Sequence, residues 1–148
     1  MPNDNYNFTV TTLLEAAGIK RSSCRDDECG ANQTDHIVEL QLVVAALNDL
    51  PDTAYWGRDW ESRLVTFFDQ EQNKQCLAAE INHGVKKTAV GKLIRLRRKN
   101  TPRNQWSMSQ NEWYWIRVVM RKWDEIRDNL DGFKKFKVSL DEILNIDQ

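Results

Sequence analysis

Two short stretches of the sequence decide the fold: Asp35-His36-Ile37-Val38, and the ten residues Asn73-Lys74-Gln75-Cys76-Leu77-Ala78-Ala79-Glu80-Ile81-Asn82. The first places a carboxylate and an imidazole beside a short β-branched run, and the second begins and ends on asparagine. Carboxylate and amide oxygens are ligands of hard divalent cations, and an imidazole serves as a general base near neutral pH. These groups form one site only if the two stretches, separated by about thirty-six residues, meet in space.

Hydrophobic periodicity predicts a mainly helical protein with little β structure. After Asp35 the apolar spacing suits both a strand and a helix, so we expect a short strand over 36–38 that passes into a helix ending near Asn48. Apolar spacing and cap residues predict the other helices: one from a Thr11 or Thr12 cap to Gly18, then 59–68, 76–84, 85–96, a long helix capped by Ser109 with Glu112 at the capping-box position, and 139–146 beginning at Ser139.

The bulk composition describes one domain, residues 1–148, with enough apolar side chains for a single core. The sequence contains no apolar run that could span a bilayer and no signal-peptide pattern at its start, which predicts a soluble protein that is intracellular or a delivered effector. Its cysteines, Cys24, Cys29 and Cys76, are odd in number. We expect reduced thiols, ahead of a zinc site or a Cys24–Cys29 disulfide.

Charge is unevenly distributed along the chain. Residues 1–85 carry eight more acidic than basic side chains, and residues 86–148 carry seven more basic ones. A polyanion that binds this region would interact with the local excess of basic side chains, whatever the net charge of the whole chain. The predicted nucleic-acid-binding side chains form what we call the basic strip: Lys86, Lys87, Lys92, Arg95, Arg97, Arg98 and Arg103, with Lys99 among them.

The run D-H-I-V at 35–38, followed by N-x-Q-x-L-x-x-x-x-N at 73–82, resembles the HNH (His-Me finger, ββα-metal) nucleases in their Asp-His/Asn/Asn variant. The resemblance covers about 30–90. It implies a helical domain around a small ββα-metal-like core, interrupted by an inserted helical segment at about 48–70 and followed by C-terminal helices over 100–148.

The resemblance also implies a role for each matching residue. Asp35 and Asn82 would hold one Mg²⁺ or Mn²⁺ ion, with His83 as the alternative last ligand. His36 would be the general base, and Asn73 would brace the strand that carries it. The expected activity is hydrolysis of phosphodiester bonds in DNA, or in RNA with less support. A toxin or effector role with a neutralising protein partner would suit such an enzyme, and no membrane partner is expected.

Other interpretations stay open. Asp35 could cap a helix, Asn73 could be a turn residue, and Asn82-His83-Gly84 could end a helix. The whole chain could then be a non-catalytic module that binds nucleic acid or protein through the basic strip. A zinc set of His36, Glu39 and His83 is a third, less favoured possibility. The tryptophans over 106–123 are expected to pack in the core, with Tyr114 and Trp115 as exceptions available for base stacking.

Overall fold

The computed structural model describes residues 8–19, 29–50 and 56–145. This part of the chain is mainly helical with one small antiparallel sheet, which confirms the predicted α+β class. The elements are α1 (Val10–Ala17), β1 (Gln33–His36), α2 (Leu40–Asn48), α3 (Trp60–Phe68), β2 (Lys74–Leu77), α4 (Lys87–Arg98), α5 (Gln110–Ile126) and α6 (Lys134–Leu144).

The two strands form an antiparallel ladder in which Asp35 faces Gln75 and His36 faces Lys74. The strand predicted over 36–38 therefore begins and ends earlier, and α2 starts after a bend. The helix predicted over 76–84 was wrong at its beginning, because Cys76 and Leu77 belong to β2. Pairing with the distant β1 prevails there over the helical character of the residues that follow.

One core joins all six helices of the described residues. At its centre Phe68 stacks on Trp123, with ring centroids 5.9 Å apart, and Phe136 meets both rings edge-on. Trp60 and Trp123 are buried, as helical spacing predicted, while Tyr114 is 52% exposed. These contacts hold α3, α5 and α6 together.

The predicted cap residues were right for α5 and wrong for α1 and α6. Thr9, rather than Thr11 or Thr12, caps α1, and Gly18 ends it with a positive φ of 74°. Ser109 and Glu112 form the predicted capping box of α5. The last helix was predicted wrongly: α6 begins at Lys134, and the Ser139 hydroxyl is buried and donates to the carbonyl of Ala46, 2.8 Å away.

We expect Ser109→Ala to lower the free energy of unfolding by about 1 kcal/mol, because the Glu112 amide loses its cap acceptor. Urea denaturation measures this loss. Ser107→Ala is the control, since that serine lies just before the cap and its side chain is exposed. Equal stability of the two variants would contradict the cap assignment.

The cysteine prediction was wrong for two of the three thiols. Cys29 and Cys76 form a disulfide, with Cα atoms 5.3 Å apart, which ties the segment before β1 to β2. Cys24 lies outside the described residues. Within the described ranges, no helix has the length and apolar character that crossing a bilayer requires.

Candidate functional site

The ladder brings the two chemical stretches together. Asp35 and His36 lie on β1, and Asn73 lies in the short 3-10 turn Glu71–Asn73 that leads directly into β2. The chain between them is occupied in part by α3, which returns the backbone to the ladder. The distant segments therefore meet, as a shared site requires.

Asn73 is fully buried, and all the hydrogen bonds of its side-chain amide are to backbone groups. Its Oδ1 accepts from the Val38 amide at 2.8 Å, and its Nδ2 donates to the carbonyls of Val38 at 3.1 Å and Phe68 at 2.8 Å. Its own carbonyl accepts from the Ile37 amide at 2.7 Å. The side chain thus holds the residues that follow His36 against the end of α3, which is the bracing position that the resemblance implies.

One face of the ladder carries Asp35 and looks toward the helix that follows β2. Asp35 Oδ2 accepts from Gln75 Nε2 at 2.8 Å, and Asn82 Nδ2 donates to Gln33 Oε1 at 3.2 Å. Asp35 and Asn82, the two predicted metal ligands, are therefore on the same side of the sheet. His83, the alternative ligand, is exposed.

The other face carries His36, because neighbouring side chains of a strand point to opposite sides. His36 Nε2 lies 2.8 Å from Asp69 Oδ1, and Lys74 Nζ lies 3.5 Å from the same oxygen. The imidazole is 17% exposed. The structure thus does not place the predicted base with the predicted metal ligands; it gives His36 a carboxylate and an ammonium instead.

The Asp69 contact fixes which imidazole nitrogen can act as a base. A neutral imidazole must donate through Nε2 to bond the carboxylate, which leaves Nδ1 as the free acceptor. At Lys74, burial by itself lowers the pKa, but the nearby carboxylates of Asp69 and Glu71 outweigh it and raise the pKa, so the amine stays cationic. Sequence reasoning missed Asp69, whose only signal was a carboxylate at a helix end just before Asn73.

Lys86 lies where a cation bound to Asp35 would lie. Its ammonium is 3.0 Å from Asp35 Oδ1 and 2.7 Å from Glu39 Oε2. Lys86 is fully buried, and Asp35 is 2% exposed. Because both oxygens of Asp35 are hydrogen-bonded and covered, the residues in this arrangement do not fit a hydrated Mg²⁺ or Mn²⁺ ion.

The alternative zinc set is also not assembled. Among residues 8–19, 29–50 and 56–145, no three His, Cys, Asp or Glu side chains are grouped to hold a metal ion. The set assumed that His36 and Glu39 share a helical face, but His36 belongs to β1 and Glu39 precedes α2. Glu39 bonds Lys86 instead.

The basic strip divides into structural and exposed side chains. Lys86 is buried, so its predicted contact with phosphate is wrong. Lys92 bonds Glu112 and the carbonyl of Ser107, and Arg97 bonds the carbonyls of Ile143 and Asn145. The members that remain exposed are Lys87, Arg95, Arg98, Lys99 and Arg103.

The indole rings of Trp106 and Trp113 stack at 5.9 Å beside this surface. Arg103 lies 4.3 Å from the Trp113 ring centre and 5.1 Å from that of Trp106, while Arg97 covers Trp106 at 5.0 Å. Both indoles are partly buried against the core. This stack holds the connection between α4 and α5 and leaves the guanidinium of Arg103 at the surface.

Glu112 makes the stability of this region pH-dependent. A hydrogen bond from the Ser109 amide, and a second from Lys92, lower the pKa of Glu112 below its ordinary 4.5. A depressed folded-state pKa contributes stability at pH above the unfolded-state pKa, and that contribution is lost as the pH falls through the folded-state pKa.

We expect Glu112→Gln to lose less stability than wild type between pH 7 and about pH 3 in urea denaturation. Glu125→Gln, at an exposed position of the same helix, is the control, and a wild-type pH dependence in Glu112→Gln would contradict the assignment.

Comparisons with protein-family models, with curated proteins and with solved structures found no significant match to this chain.

Proposed function

We propose that this protein cleaves phosphodiester bonds of nucleic acid, with His36 as the general base. The observation that carries the proposal is the partly exposed imidazole held by Asp69 on a strand end that Asn73 braces. A general base needs a fixed tautomer and access to the proton that it removes. The Asp69 contact fixes the tautomer, and the exposed side of the imidazole gives access to the proton.

The chemical step uses the free Nδ1 of His36. Nδ1 takes a proton from a water molecule or from a ribose 2′-hydroxyl, and the oxygen thus freed attacks phosphorus. The bond from phosphorus to the leaving oxygen breaks, and the leaving oxygen takes a proton from solvent. The imidazolium that forms is stabilised by Asp69, in the way that a carboxylate supports histidine in catalytic triads.

Phosphate charge would be met by exposed cations. Lys74 is 20% exposed and lies on the same face as His36. The exposed members of the basic strip add positive charge along α4, the helix that follows β2, and along the turn after it. Lysine and arginine contacts to phosphate position a nucleic acid without reading its sequence.

The choice between DNA and RNA and the need for a metal ion each change the expected chemistry. The resemblance favours DNA and Mg²⁺ or Mn²⁺, but a metal at Asp35 would require Lys86 to leave it. RNA carries its own nucleophile, the ribose 2′-hydroxyl, so its cleavage requires only that His36 act as the general base. Both substrates therefore belong in the assay, each with and without EDTA.

The test incubates plasmid DNA, single-stranded DNA and RNA with wild type, His36→Ala and His83→Ala. The chain has two histidines, so His83→Ala is a matched control for loss of an imidazole. Cleavage by wild type and His83→Ala, reduced in His36→Ala, supports the proposal. Equal cleavage by all three proteins, or none by wild type on any substrate, rejects it. Loss of cleavage in EDTA would show that the reaction requires a divalent cation.

A non-catalytic nucleic-acid-binding module is the second candidate, and the exposed cations of α4 favour it. It predicts binding without cleavage, unaffected by His36→Ala and weakened by Arg95→Ala together with Arg98→Ala. Because each phosphate contact releases counterions, the double variant should also show a shallower dependence of affinity on salt.

A toxin role with a neutralising partner would require that wild type, but not His36→Ala, inhibit growth of the cell that expresses it.

A further inference from the structure

The environment of Lys86 Nζ consists of oxygen atoms. Asp35 Oδ1 lies at 3.0 Å, Glu39 Oε2 at 2.7 Å, the His36 carbonyl at 3.2 Å and the Ile37 carbonyl at 3.1 Å. An ammonium group has three protons, so these four acceptors satisfy it fully. The Gln75 amide holds the second oxygen of Asp35 and fixes the orientation of the carboxylate.

This oxygen cage is also the kind of surrounding that hard cations select. Carboxylates and backbone carbonyls are the protein ligands of Ca²⁺ and, with water, of Mg²⁺. Two carboxylates face one ammonium, so the cage keeps a net negative charge when all three groups are ionised. Its composition therefore fits a single cation at the end of β1.

The backbone before α4 directs Lys86 into this cage. The turn Ile81–Lys86 is kinked at Gly84, whose φ of −103° and ψ of −109° are not helical. Lys86 ends this turn, and Lys87, the first residue of α4, is exposed.

We infer that the Lys86 ammonium is the resident cation of this site and takes the place of a divalent metal ion. The wild-type protein then binds no Mg²⁺ or Mn²⁺ at Asp35, and removal of the amine opens a cation site formed by Asp35 and Glu39. The inference does not depend on catalysis and holds equally for a binding module.

The first test measures Mn²⁺ binding by the loss of the free-ion electron paramagnetic resonance signal, for wild type, Asp35→Asn, Lys86→Ala and the double variant Lys86→Ala with Asp35→Asn. We expect no Asp35-dependent ion in wild type and one bound ion in Lys86→Ala, weakened at least about tenfold when Asp35→Asn is added, because a direct carboxylate ligand is lost. Binding by wild type that Asp35→Asn abolishes overturns the inference. So does a folded Lys86→Ala protein that takes up no Mn²⁺.

A second test uses unaltered protein and so does not depend on the variants folding. Native-state reductive methylation, followed by peptide mass spectrometry, compares Lys86 with its exposed neighbour Lys87. We expect Lys87 to be modified and Lys86 to be protected, with or without Mg²⁺. The inference is overturned if Lys86 is methylated as fast as Lys87. It is also overturned if Lys86 becomes methylated only after Mg²⁺ is added.

Discussion

Lys86→Met is expected to lower the free energy of unfolding by about 3–5 kcal/mol, because it leaves the buried carboxylate of Asp35 without a counter-charge. Methionine nearly fills the volume of the lysine stem, so the loss reports charge rather than a cavity. Chemical denaturation measures the change. It is among the largest effects we expect, because Lys86 and Asp35 are almost completely buried.

The matched control is Lys87→Met, which removes an exposed amine one residue away and should change stability by no more than about 0.5 kcal/mol. Replacing Asp35 as well, as Lys86→Met with Asp35→Leu, should recover part of the loss, since the almost fully buried carboxylate is then gone and only Glu39, which is 14% exposed, has lost its partner. A Lys86→Met protein as stable as Lys87→Met would contradict the burial of this ion pair.

His36→Ala is expected to reduce the rate of nucleic-acid cleavage by about 10²–10⁴-fold, the usual contribution of a general base. Asp69→Asn should reduce the rate less, because the imidazole stays in place but loses the carboxylate that selects its tautomer and stabilises its charged form. The measurement is the single-turnover rate on whichever substrate wild type cleaves. Its dependence on pH should flatten in His36→Ala.

Glu71→Gln is the control for Asp69→Asn, since Glu71 is an exposed carboxylate two residues away that also pairs with Lys74. It should leave the rate near that of wild type. If Glu71→Gln and Asp69→Asn lower the rate equally, the effect belongs to the charge around Lys74, and the assignment of Asp69 to His36 fails.

Local signals in the sequence predicted the positions of α3 and α5 correctly. The helix expected over 59–68 is α3, Trp60–Phe68, and the capping box of Ser109 and Glu112 begins α5. Both depend on residues within a few positions of one another. The start of α6 was missed because Ser139 looks like a cap, whereas its hydroxyl bonds a distant carbonyl of α2.

Long-range contacts limited what could be predicted of the site. The sequence pointed to two stretches that do meet, and Asn73 lies where a brace would lie. It could not show that β1 turns Asp35 and His36 to opposite faces, because the strand was predicted three residues too late. Nor could it find Asp69 as the partner of His36, or the burial of Lys86, since both follow from packing of segments far apart in the chain.

A crystal structure of the wild-type protein grown with Mn²⁺, with anomalous data at the manganese edge, tests both faces of the ladder at once. We predict Lys86 Nζ between Asp35 and Glu39, no manganese peak at Asp35, and His36 bonded to Asp69 with its other nitrogen open to solvent. A manganese peak between Asp35 and Asn82, with the lysine displaced, would contradict the assignment of Lys86 as the resident cation.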